Sequence, residues 1–241
     1  MKILSVNSGS SSLKFKMYEM PEEKVVISGV FERIGNTNSF YTIKLNDEKI
    51  EKKVELNNHD DAVKCLTEEL INNGVITSLD DIKGVGHRVV HGADKYASSV
   101  VIDDNVISNL EEFSALAPLH NPANILGIKA FKKIIPNAVS VAVFDTAFHQ
   151  TMKEENYLYA VPYEWYTEYG IRKYGFHGIS HHYLTKRMIE ILNKDNAKII
   201  TCHLGNGGSI TAVDSGECVD TSMGFTPNAG IIMGSRAGDI D

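Results

Sequence analysis

Two short stretches rich in glycine and small polar residues carry the first chemical signal: "NSGSSSLK" at residues 7–14 and "HLGNGGS" at residues 203–209. Glycines let backbone N–H groups approach a phosphate closely, and hydroxyls add donors. Neither stretch is a Walker loop, because Gly9 to Lys14 lacks the second glycine of GxxxxGK, and neither sits as GxGxxG in a βαβ setting. Either one alone could be a flexible hairpin turn. Together they align without gaps: "ILSVNSGSSSLKFKM" and "IITCHLGNGGSITAV" place Gly9 opposite Gly205, with a mostly apolar run before each loop and a strand after it. The pairing predicts two related α/β domains, each offering one Gly-rich hairpin to a shared cleft.

Four further segments hold reactive or binding side chains. In "GVGHRVVHG", Arg88 and Val90 would share one face of a strand, because the side-chain period is two. A guanidinium fork beside an apolar wall suits a small carboxylic acid with a short alkyl tail; a surface arginine on an edge strand would look the same. In "VAVFDTAFH", Asp145 follows a long apolar run, at the strand end where open α/β sheets bind ligands. A carboxylate there can hold Mg²⁺ or orient a nucleophile, or simply cap a helix. "YGFHGISHH" sets His177 and His181 four apart, but Gly178 intervenes, Ser180 reads as an N-cap, and no third zinc ligand is evident. A loop histidine near a phosphate is the better reading of His177. "GSRAGD" puts Arg236 between glycines, a second cation for an anionic substrate or a phosphoryl group in flight.

These residues need elements to position them. Lys2 to Tyr18 reads as strand, loop, strand, and "KVVISGVFERI" and "FYTIKLN" continue an antiparallel set. A helix follows with Val63, Leu66 and Leu70 on one face, Asn58 or Asp60 as its cap and Gly74 as its stop. "IKGVGHRVVHG" is a strand. Helices are expected from Asp104 and from Asn121-Pro122, the latter as N-cap plus first residue, ending before Pro136. "NAVSVAVFDT" reads as a central strand covered on both faces. The tyrosine-rich residues 151–175 read as a connection, and a helix runs from about Ser180 to Asn193. Alternating helices and strands argue an α/β class, with a first domain over residues 1–150 and the start of a second over 151–241. The abrupt end at "GSRAGDID" suggests the front part of a longer protein, with the first domain complete and the second truncated.

The chain has 241 residues, 43% of them hydrophobic and 23% charged, with a formal net charge of −7, which speaks against general nucleic-acid binding. Its apolar runs are far short of the roughly 20 residues of a spanning helix. The three scattered cysteines form no CxxC pair and read as free thiols of a reducing cytoplasm.

In this order, "VNSGSSSLK", "GHRVVHG", "VAVFDTAFH", "YGFHGISH", "CHLGNGGSI" and "MGFTPNAGIIMGSRAGDID" resemble the acetate and propionate kinase family over essentially the whole chain. The resemblance implies the duplicated fold shared by sugar kinases, actin and the Hsp70 ATPase. It implies reversible phosphoryl transfer between ATP and acetate with Mg²⁺ or Mn²⁺, by a cytoplasmic homodimer. Carried over, Asn7 is similar to a metal ligand, Lys14 to an ATP-side contact, and Ser10 and Ser12 line the phosphate path. Arg88 resembles the substrate arginine, with Val90, Leu119 and Pro227 as its apolar pocket. Asp145 resembles the residue assigned as acid/base, and His177 and Arg236 the transition-state stabilisers. His203, Leu204, Gly205, Asn206 and Gly207 resemble the second phosphate loop. The family's adenosine pocket and a metal-linked glutamate lie in later sequence. A propionate kinase, a nucleotide-gated binding module of the Hsp70 or actin type, and an inactive folded piece are the alternatives.

Overall fold

The computed structural model describes residues 1–46 and 48–240. Among the described residues eleven strands and six α-helices run in the order β1 (Lys2–Ser8), β2 (Ser12–Glu19), β3 (Lys24–Glu32), β4 (Phe40–Leu45), β5 (Glu48–Lys53), α1 (His59–Asn72), β6 (Ile82–Val89), β7 (Val100–Val101), α2 (Asp104–Glu112), α3 (Asn121–Ile134), β8 (Val139–Phe144), α4 (Glu154–Tyr157), α5 (Glu164–Tyr169), α6 (Gly178–Leu192), β9 (Lys198–Leu204), β10 (Gly208–Asp214) and β11 (Glu217–Thr221). The class is α/β. The chain forms two compact units, residues 1–89 with 100–143, and residues 90–99 with 144–241.

The first unit is built on a mixed sheet of order β5-β4-β3-β2-β1-β6-β8-β7. Strands β1 to β5 are antiparallel neighbours, β1 to β4 as the sequence predicts and β5 beyond them, and β1 runs parallel to β6. Strict alternation decides which face is covered. Leu4 pairs with Met17, Val6 with Phe15 and Ser8 with Leu13 on one face. With Ile27, Phe31 and Ile43 they form a core under Val63, Leu66 and Leu70 of α1 and Phe131 of α3. Burying a side chain of this size contributes about 1.5–3 kcal/mol. The other face carries Ser5 opposite Lys16 and Asn7 opposite Lys14.

Caps set the helix ends. The Asn58 side chain accepts the Asp61 N–H at 3.0 Å to open α1, and Asp103 accepts the Val106 N–H at 2.8 Å to open α2. Three expectations shift. Asn121 lies inside α3, whose N-cap is His120. β8 is not a central strand covered on both faces: it lies next to the two-residue edge strand β7, and its residues alternate between buried and partly open. The tyrosine-rich connection contains the short helices α4 and α5, the latter closed by Gly170 in the left-handed conformation.

The second unit holds the sheet β11-β10-β9, antiparallel throughout, and α6. Among the described residues no helix is long and apolar enough to cross a membrane. Cys65, Cys202 and Cys218 are free.

Two outcomes follow from the packing. A Cβ on Gly127 of α3 would lie 2.0 Å from Ser8 Oγ and 2.6 Å from Ser8 Cβ. Alanine in a helix interior gains about 1 kcal/mol over glycine, but overpacking a core typically costs about 1–3 kcal/mol. Gly127→Ala should therefore lower the urea midpoint, and a higher midpoint would contradict this packing. Second, burial pushes His91 and His149 down to about 4, and His87 and His181 to about 3. An unfolded histidine titrates near 6.5, so below that pH the unfolded chain takes up protons that the folded chain refuses. The stability contributed by keeping these rings neutral is complete above about pH 6.5 and drains away as pH falls toward 3–4, at up to about 1.4 kcal/mol per pH unit for each ring. Denaturation at pH 7.0 and 5.5, above most carboxylate titration, should show this loss; a flat profile would refute it.

Candidate active site

The first loop is a hairpin tip of three residues, 9–11, between β1 and β2. The Gly9 N–H donates to the Ser12 carbonyl at 2.8 Å, and a Cβ on Gly9 would lie 2.9 Å from Ser12 Oγ. Two helices brace the tip: His59 Nε2 lies 2.8 Å from the Gly9 carbonyl, and Asn124 Nδ2 donates to the Ser8 carbonyl at 2.7 Å. Ser10 is exposed and Ser12 opens β2. Asn7 and Lys14 are direct cross-strand partners, so their side chains stand on one face, the one away from the core. Val6 is registered with His87 of β6, which places Arg88 one step on, beside Asn7 and on the same face. The structure thus brings Asn7, Lys14 and Arg88 together at one end of the sheet in the first unit. Leu119 is 80% exposed, on the turn before α3.

Val90 does not continue β6. The strand ends at Val89, so the shared-face argument for Arg88 and Val90 fails where the strand stops. Val90 belongs to the second unit and packs in a buried cluster with Phe176 and Met223, with Met233 against it.

The second unit assembles the remaining candidates around α6. Asp145 is the first residue after β8 and is 2% exposed. Its carbonyl accepts the Gly178 N–H at 2.8 Å, and a Cβ on Gly178 would lie only 2.3 Å from that oxygen. Glycine is required there. The helix starts at Gly178, not Ser180, with His177 as its N-cap residue in the left-handed conformation, φ 60°. Few non-glycine residues adopt that geometry. Ser180, expected as the cap, lies inside the first turn, with its hydroxyl 3.0 Å from His203 Nδ1.

The His177 ring stacks on His203, centroids 4.1 Å apart, and its Nδ1 is 2.9 Å from Ser209 Oγ. The second loop, residues 205–207, also joins its strands by three residues, and the Gly205 N–H donates to the Gly207 carbonyl at 3.0 Å. A Cβ on Gly207 would lie 3.0 Å from Arg236 Nη2 and 3.3 Å from His177 Nε2. Loop, imidazole and guanidinium therefore meet at one point. Arg236 is steadied by its Nη1, which donates to the Pro227 carbonyl at 2.5 Å, and the Gly234 N–H reaches the Asn206 carbonyl at 3.3 Å. Leu204, at the end of β9, is 76% exposed.

This arrangement offers N–H donors and one fixed cation to a tetrahedral or planar anion. Among the described residues no three His, Cys, Asp or Glu side chains are placed to hold a metal, and His177 and His181 both direct a ring nitrogen to Ser209. The Cys218 thiol lies 3.2 Å from His149 Nδ1, and burial pushes it up to about 12, which disfavours the thiolate. Gly178 and Ser209 carry no such signal in the sequence, where Gly178 reads only as an interruption of a helix and Ser209 as the last residue of a loop.

The sequence pattern of the acetokinase family matches residues 2–241. Acetate kinase of Geobacillus sp. (strain WCH70) is 57% identical over 242 aligned positions, which cover 100% of this chain and 61% of that protein. Acetate kinase 1 of Listeria monocytogenes serovar 1/2a is 56% identical with the same coverage of 100% and 61%. Among solved structures, the acetate kinase of Porphyromonas gingivalis superposes with a TM-score of 0.95 at 44% identity, over 100% of this chain and 61% of that one. The propionate kinase of Francisella tularensis gives a TM-score of 0.94 at 43% identity, over 100% and 62%. The chain spans about 61% of the length of the curated relatives it matches. On a family match that takes in all but its first residue, this chain belongs to the acetokinase family.

Proposed function

We propose that this chain carries the acetate- and phosphate-handling residues of an acetate kinase, which transfers a phosphoryl group reversibly between ATP and acetate to give ADP and acetyl phosphate. The observation that carries the reading is that Arg236 Nη2 and His177 Nε2 both flank the Gly207 backbone, 3.0 and 3.3 Å from where a Cβ on Gly207 would stand. Such a cluster suits the equatorial oxygens of a phosphoryl group passing in line between two oxygens. An acetate oxygen bonds to the γ-phosphorus as the bond to the ADP oxygen breaks. In this reading Arg236 and His177 take up the charge on the moving group, and residues 203–207 with Ser10, Ser12 and Lys14 hold the nucleotide phosphates. Arg88 grips the carboxylate, and Val90, Leu119 and Pro227 face its methyl group.

Acetate is already ionised at pH 7, the ordinary carboxylic pKa being about 4. Asp145 need not remove a proton from it. Its part would be to organise Mg²⁺ or the substrate, and its main chain fixes His177 through Gly178. Mg²⁺ or Mn²⁺ would neutralise charge on the phosphates. The Asn7 amide oxygen is a hard donor suited to such an ion. Domains over residues 1–150 and 151–241, a homodimeric form and a cytoplasmic setting belong to the same proposal; the three free cysteines agree with a reducing compartment.

The likeness to a propionate kinase keeps a second acyl acceptor in view. One methylene in an apolar pocket is worth about 10–200-fold in kcat/KM. In the protein as its gene encodes it, hydroxylamine trapping of acyl phosphate should rank acetate above propionate and butyrate; a preference for propionate would reassign the substrate. In the same assay Arg236→Ala should cut kcat by about 10³ while acetate KM moves little. A mutant with the parent kcat would remove Arg236 from the transfer.

A further inference from the structure

Behind His177 lies a buried chain of polar groups that the transfer as described does not use. Ser209 and His181 are fully buried and Thr201 is 4% exposed. Thr201 Oγ1 lies 2.7 Å from His181 Nδ1, His181 Nε2 lies 2.7 Å from Ser209 Oγ, and Ser209 Oγ lies 2.9 Å from His177 Nδ1. We propose that Thr201, His181 and Ser209 form a relay that sets the tautomer of His177, keeping its ring proton on Nε2, the nitrogen facing Gly207 and Arg236.

A hydroxyl has one proton to donate, and a neutral imidazole has one N–H and one lone pair. His181 is neutral at any working pH: burial, reinforced by His149, His177 and His203, pushes it down to about 3. The chain can then run in two directions. In one, Thr201 O–H donates to His181 Nδ1, His181 Nε2–H donates to Ser209, and Ser209 O–H donates to His177 Nδ1. His177 must then carry its proton on Nε2. In the other direction His181 donates to Thr201, Ser209 donates to His181, and a neutral His177 carries its lone pair on Nε2, the nitrogen beside Gly207. Thr201 decides between them. Its hydroxyl has His181 Nδ1 as its hydrogen-bond partner among the described residues. Reversing the chain would leave the buried Thr201 proton without an acceptor, which is costly. The first direction satisfies every donor along the chain from Thr201 to Ser209.

The consequence for the site is that His177 presents an N–H donor to an anion even when uncharged. A lone pair there would repel a phosphoryl oxygen. Ser209, His181 and Thr201 are thus positioning residues that act through His177. This functional weight rests on the role proposed for His177, but the tautomer itself does not.

The test is long-range ¹H–¹⁵N correlation spectroscopy on the histidine-labelled protein as its gene encodes it, at pH 8, with the His177 signals assigned by their loss in His177→Ala. The parent should show His177 with a protonated Nε2 and a lone pair on Nδ1. Thr201→Val removes only the terminal donor and does not touch His177, yet it should move the His177 nitrogens toward a mixture of tautomers. Ser209→Ala should do the same, and Ser209→Thr, which keeps the hydroxyl, should restore the parent pattern. A parent with its proton on Nδ1, or His177 shifts unchanged in both Thr201→Val and Ser209→Ala, would overturn the relay. The expected tautomer in a protein that never phosphorylates acetate would support the relay while refuting the function proposed above.

Discussion

The hydrogen bond from the Gly178 N–H to the Asp145 carbonyl, 2.8 Å long, ties the end of β8 to the start of α6. It forms only because residue 178 has no side chain, since a Cβ would lie 2.3 Å from the accepting oxygen. The contact fixes the backbone on both sides. Asp145 is held at a strand end, and His177 is turned into the left-handed region just before the helix. A non-glycine residue in that conformation costs on the order of 1–3 kcal/mol and persists only when its surroundings over-determine it. Here the surroundings are specific: the helix that starts at Gly178, the Ser209 hydroxyl on one ring nitrogen, and the His203 ring against its face. The strain is offset by contacts that aim one imidazole at the Gly207 loop.

The two glycine-rich loops reach a similar form by different means. Each joins two antiparallel strands by three residues, with Gly9 and Gly205 as the first of them. Each is closed by a backbone hydrogen bond from that glycine. The first is braced by His59 of α1 and Asn124 of α3, and the second by the segment that carries Gly234 and Arg236. The second brace also delivers a cation, which the first does not. The likeness of the tips follows from the local sequence, and the difference follows from what packs behind them.

That distinction explains what could be read from sequence. Hairpin tips depend on residues a few positions apart, so Gly9 and Gly205 were legible, as were the antiparallel run of β1 to β4 and the place of Asp145 at a strand end. Features decided by distant partners were not. Arg88 and Val90 part company because β6 stops at Val89, where the chain passes to the other unit. Ser180 has the right chemistry for an N-cap, but its hydroxyl meets His203 instead, and the Gly178–Asp145 contact starts the helix two residues earlier. The apolar run of β8 suggested a central strand, while the short β7 beside it leaves it close to the edge. The chain of Thr201, His181 and Ser209 draws on β9, α6 and β10, and no spacing rule joins them.

The central claim is that His177 and Arg236 act together on one phosphoryl group. A double-mutant cycle on kcat, with His177→Ala, Arg236→Ala and the double mutant in the protein as encoded, tests it most directly. Residues that serve one charge in one transition state are strongly non-additive. The account predicts a double mutant about as slow as the worse single mutant. A double mutant whose loss equals the product of the two single losses would show that the residues act independently, and would contradict it.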